Sequence, residues 1–116
     1  VSINKVVKGA LSPLNVPINY ITAGNEDPDY IIFNDYNPGP TLAADDEEKT
    51  SNYFIQLDII SSGNFIDLVN QAKQLMKQSG FSRSYEAPGE FDENLGRFRK
   101  TIRFIYPVEQ FNEEEE

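Results

Sequence analysis

The stretch NYFIQLDIISSGNFIDLVNQAKQLMKQSGF, residues 52–81, decides how this chain folds. Across residues 53–60 the side chains alternate. Tyr53, Ile55, Leu57 and Ile59 share one face and Phe54, Gln56, Asp58 and Ile60 the other, which predicts a half-buried strand. After the break at Ser61, Ser62 and Gly63, the residues Phe65, Leu68, Val69, Ala72, Leu75 and Met76 recur at three- and four-residue steps. Asp67, Asn70, Lys73, Gln74 and Lys77 are left for water, so the spacing predicts an amphipathic helix. Asn64 is placed to accept hydrogen bonds from the first free amides, and Asp67, Lys73 and Lys77 suit the helix dipole. Gly80 is expected to end the helix in a left-handed conformation, with Phe81 folding back on Met76.

Upstream, Ile3, Val6, Val7, Ala10 and Leu11 form one face of a short helix over residues 2–11, which Ser12 and Pro13 should end. Residues 16–22, with Ile18, Tyr20 and Ile21, read as a short strand, at an edge or starting just after Pro17. Turn formers over residues 23–29 then lead to a strand over 30–36, and the two strands are expected to pair antiparallel. Residues 37–51 show no apolar periodicity and read as a long acidic loop, expected to be mobile.

Downstream, a strand is expected over residues 82–85, followed by turns through Ala87, Pro88 and Gly89 and through Asp92, Asn94 and Gly96. The final strand, residues 97–106, puts Phe98, Lys100, Ile102, Phe104 and Tyr106 on one face and Arg97, Arg99, Thr101, Arg103 and Ile105 on the other, before Pro107 stops it. The whole order implies an α+β fold: an antiparallel or mixed sheet of four to five strands with two helices on one face. The expected organisation is a single domain over residues 1–107 and an acidic, disordered tail over 108–116, the glutamate run being solvated.

Composition narrows the function. Without histidine or cysteine, the chain has no imidazole base, no thiol nucleophile, no disulfide and none of the usual zinc ligand sets. The net charge of −9 opposes nucleic-acid binding through phosphates. Acidity is concentrated in Asp45, Asp46, Glu47 and Glu48 and in the last four residues; the rest is nearly balanced. No apolar run approaches the roughly 20 residues a membrane helix needs. The start shows no signal-peptide pattern, so a soluble protein of cytoplasmic origin is expected.

Several groups could carry chemistry, and each has a plainer reading. Asp45, Asp46, Glu47 and Glu48 could hold a divalent cation, but consecutive acids lack the alternating spacing and glycine turn of a calcium loop. Asp92, Asn94 and Gly96 read as a hairpin turn, because Arg97 stands where such a loop needs its glycine. Nothing sets carboxylate pairs across a cleft for glycoside hydrolysis, and no enzymatic activity, metal or cofactor is expected. Lys100 reads as a snorkelling edge residue. Arg97, Arg99 and Arg103 form a positive stripe that suits contact with the acidic loop of another copy. The plainer reading pairs them with Gln56 and Asp58 across the sheet.

In order and texture the chain resembles the small tail-terminator, or tail-completion, proteins of long-tailed bacteriophages. The resemblance lies in the N-terminal helix, DYIIFN at residues 29–34, YFIQLDIIS at 53–61, the helix closing in SGF, and GRFRKTIRFIY at 96–106. It implies a non-enzymatic virion protein, made in the host cytoplasm, that forms a hexameric ring at the head-proximal end of the tail. Such a ring ends polymerisation of the tail tube and docks to the head connector. The implied partners are further copies of the chain, which can be monomeric in isolation, the major tail tube protein and the connector. Asp45, Asp46, Glu47 and Glu48 would then border a subunit contact or the lumen, with Arg97, Arg99 and Arg103 on the facing surface. The alternative is a small acidic inhibitor that mimics DNA. Against it, a mimic spreads its acids over the folded surface instead of gathering them in a loop and a tail.

Overall fold

A computed structural model of the protein describes residues 3–22, 27–36 and 52–107. Helix α1, Ile3–Leu11, runs into a 3-10 turn, Ser12–Leu14. Strands β1, Ile18–Tyr20, β2, Tyr30–Asp35, and β3, Asn52–Ser61, precede helix α2, Phe65–Gln78. Strands β4, Ser82–Glu86, β5, Glu90–Asp92, and β6, Arg97–Pro107, complete a mixed six-stranded sheet in the order β1-β2-β3-β6-β4, with β5 also paired to β6. The architecture is α+β.

The alternation in β3 sets the two faces. Ile55, Leu57 and Ile59 point into one core with Ile31 and Phe33 of β2 and with Ile102, Phe104 and Tyr106 of β6. Val7 and Leu11 of α1 and Leu68, Val69, Ala72 and Met76 of α2 close that core from the same side. Every residue of the expected α2 stripe is buried or packed against the cluster, including Phe65 and Leu75 at its margins. The second face of β3 is drier than a half-buried strand requires: Asp58 is 9% exposed and Ile60 1%. Tyr30 and Arg99 flank Ile60 in the ladder, and the strand lies between two long neighbours that shield both its sides.

The helix C-terminus follows from its sequence. Gly80 adopts φ 102°, its amide donates to Lys77 O and the Phe81 amide to Met76 O, each at 3.1 Å, which is a Schellman motif. Phe81 enters the same core as Met76 and lies against the rings of Phe104 and Tyr106. The helix N-terminus departs from expectation. Asn64 makes no capping bond: its Oδ1 accepts from none of the first amides, and its Nδ2 donates to Asp67 Oδ2 at 2.9 Å.

The pairing of β1 and β2 is corrected. It is parallel, Ile18 opposite Ile31 and Tyr20 opposite Phe33. A three-residue strand needs a return of only about 10 Å, so the connection before β2 is long enough to bring the chain back to the start of the ladder. The strand is also shorter than the apolar residues suggest, because Ile21 turns left-handed at φ 72°, held by its amide donating to Phe33 O at 2.8 Å. Ser12 and Pro13 continue the first helix as a 3-10 turn, Pro13 sitting in its first positions where a missing N–H costs nothing. Glu90 and Phe91, between the two expected turns, form β5 together with Asp92, and β6 runs through Pro107. No helix among the described residues is long and apolar enough to cross a membrane.

Candidate functional site

Asp45, Asp46, Glu47 and Glu48 lie outside the described residues. The expected loop over 37–51 and the tail over 108–116 lie outside them too. The arginine stripe is described in full. Arg97, Arg99 and Arg103 project from β6 on the sheet face opposite the helices, where no helix lies over them among the described residues.

Each arginine is engaged within the chain. Arg97 donates to Asp27 O at 2.9 Å and stands over the Tyr30 ring, 5.6 Å from its centroid. Arg99 lies 3.8 Å from Asp58 and 3.6 Å from Asp92. Arg103 Nε donates to Gln56 Oε1 at 3.0 Å, and its guanidinium sits between the rings of Tyr36 and Tyr85, at 4.7 and 5.6 Å. The cross-sheet pairing with Gln56 and Asp58 therefore exists, and the stripe is a set of internal contacts as well as a surface. Thr101 Oγ1 donates to Asp58 Oδ1 at 2.6 Å, which completes the anchoring of the least exposed carboxylate in the sheet.

Asp92 is committed locally. Its Oδ1 accepts from the amides of Asn94 and Leu95 at 3.0 and 3.2 Å, and Gly96 N donates to Asp92 O at 2.7 Å, so this segment is a hairpin turn. Lys100 departs from the expectation of an edge residue. It stands on an interior strand, on the helix-side face, with Nζ 2.9 Å from Glu86 Oε2. Lys73 of α2 reaches the same carboxylate at 3.2 Å and Arg83 of β4 reaches Oε1 at 3.1 Å. The hydrogen bond from Lys100, helped by Lys73, holds the Glu86 carboxyl below its ordinary range, against an opposing push from burial.

A third surface went unread in the sequence. Phe65 of α2 stacks on Phe98 of β6, centroids 5.4 Å apart, and Phe91 of β5 meets the same ring edge-on at 5.1 Å. Phe91 is 53% exposed, Phe98 39% and the neighbouring Ile66 71%. These side chains wall a groove of about 510 Å³ whose floor reaches Lys73, Glu86 and Lys100. Gly89 packs closely there: a Cβ would come within 3.1 Å of the Phe65 ring, which would have to shift to admit it. The available signal was Phe91 and Phe98 flanking a turn, which puts two aromatics opposite each other on a hairpin.

Among the described residues no group of three or more acidic side chains is arranged to hold a metal ion. The three surfaces offer charge, aromatic area and hydrogen bonds, which are means of recognition. No protein-family model matches the chain, and no curated protein matches its sequence.

Proposed function

We propose that this chain is a structural protein of a long-tailed bacteriophage, acting at the head–tail junction without enzymatic activity. In this reading, copies of the chain form a hexameric ring on the last ring of the tail tube, end its polymerisation and dock to the head connector. The observation that carries the assembly role is the cluster of Ile66, Phe91 and Phe98, apolar side chains left in water beside a rigid sheet. Contiguous exposed apolar groups of this kind are features of protein contacts. The family reading rests on the order of elements and on the segments at residues 29–34, 53–61 and 96–106.

Charge distribution supports assembly over mimicry of DNA. Among the described residues, acidic and basic side chains are equal in number, so the excess negative charge belongs to the remaining segments. A rigid DNA mimic needs a fixed array of carboxylates on the folded body, and here Asp58, Glu86 and Asp92 are each tied to cations of the same chain.

The test is genetic. A phage lacking the gene should make tails of uncontrolled length that fail to join heads, and supplying the protein in trans should restore both. Normal tails and normal joining without the gene would overturn the proposal.

A further inference from the structure

A cleft of about 910 Å³ runs between α2 and the start of β4. Lys73 and Lys77 line it from α2 and Arg83 from β4, with Phe81 and Phe104 at its base, and no carboxylate is among the described residues that line it. Glu86, just beyond it, is shared by Lys73, Arg83 and Lys100. Lys77 has no ion pair among the described residues and is exposed. Among the described residues positive charge is thus in local excess here, on a chain whose net charge is −9.

The cations are ordered as well as numerous. Lys73 and Lys77 are four apart on the helix, which spaces them about 6 Å along one stripe. Carboxylates at alternate positions of an extended peptide recur every 6.5–7 Å or so. Beside the lysines, Asn70, Gln74 and Gln78 form a second stripe at the same step, supplying side-chain amides that can both donate to and accept from a peptide backbone. The guanidinium of Arg83, 52% exposed, offers a cation to an aromatic face.

We propose that this cleft docks an extended acidic peptide segment, with carboxylates at alternate positions and an aromatic side chain, supplied by another polypeptide. The segment lies along the helix stripes and does not add to the sheet, because the irregularity between Arg83 and Tyr85 interrupts the β4 edge that an added strand would need. Nucleic acid is a poorer occupant. Its affinity grows with the number of phosphates neutralised, and the cleft supplies few cations, whereas the side-chain amides of Asn70, Gln74 and Gln78 suit a peptide backbone. This inference is independent of the phage reading and holds for any partner that carries such a segment.

Fluorescence anisotropy on the full chain tests it, with a labelled peptide bearing glutamates at alternate positions around one phenylalanine. The same peptide with lysines, and a labelled single-stranded DNA of equal length, serve as competitors of other chemistry. The acidic peptide should bind, and the double variant K77Q/R83Q, altered at two exposed side chains, should bind it roughly tenfold more weakly, a loss of about 1.4 kcal/mol. K8Q, on α1, should leave binding unchanged. Amide chemical shifts of the unmodified chain should move on titration at residues 70–83 of the cleft. No binding, preference for DNA or the lysine peptide, equal affinity in the double variant, or shift changes confined elsewhere would overturn the proposal.

Discussion

Glu86 answers Lys73, Arg83 and Lys100 from one carboxylate, with 23% of its side chain exposed. Replacing it by glutamine keeps the shape and leaves these cations facing one another, so E86Q should lower stability by about 1–2 kcal/mol at neutral pH. The sign of the pH dependence follows from the depressed carboxyl. A group held below its ordinary value of 4.5 contributes stability that is present above that value and lost as the pH falls through the folded one. Urea midpoints should therefore separate the original chain from E86Q at neutral pH and converge as the medium is acidified below 4.5. A gap that persists at low pH would show that the cluster acts by packing and not by charge. In the sequence, the face carrying Lys100 was legible from alternation alone. Its partner was not, because Glu86 reaches it only through the pairing of β4 with β6, and Lys73 joins the same carboxylate only through the packing of α2 on the sheet.

At the scale of elements, β3 and α2 were legible because their periodicities are long and uninterrupted; burial follows the pattern residue by residue in α2, whereas in β3 both faces are buried from Leu57 onward. Leu57 is fully buried at the centre of β3, so Leu57→Ala should cost about 2–5 kcal/mol in chemical denaturation. Gly80 carries φ 102°, and Gly80→Ala should cost about 1–2 kcal/mol, read as a lower thermal midpoint, while an exposed substitution such as Gln71→Ala should change little. The missed elements have a common cause. β1 pairs parallel with the next strand and turns left-handed at Ile21, and β5 exists through its register with β6; neither pairing leaves a mark in local periodicity. The expected cap at Asn64 is absent, and the side chain instead bonds through Nδ2 to Asp67, a contact that the cap preference alone does not signal.

Over the whole molecule, the described body is balanced in charge, one sheet face is filled by helices and the other carries arginines already bonded to their own strands. That placement changes how assembly should be probed. Reversing Arg99 would set a new carboxylate beside Asp58 and Asp92 and disturb the fold along with any contact. The exposed apolar cluster allows a cleaner separation. Ile66→Ser and Phe91→Ser remove side chains that are mostly in water, so they should shift thermal midpoints little and yet weaken self-association or tail binding by at least about tenfold. The arginine face was legible in the sequence because strand alternation assigns it. The aromatic cluster was not, because it is assembled from α2, β5 and β6 and exists only once those elements meet. The central claim is most directly tested by electron microscopy of purified tail tubes mixed with the full chain. Rings of six copies bound at one end of each tube, absent with the Ile66→Ser, Phe91→Ser variant, are the predicted result; tubes with both ends bare at saturating protein would contradict it.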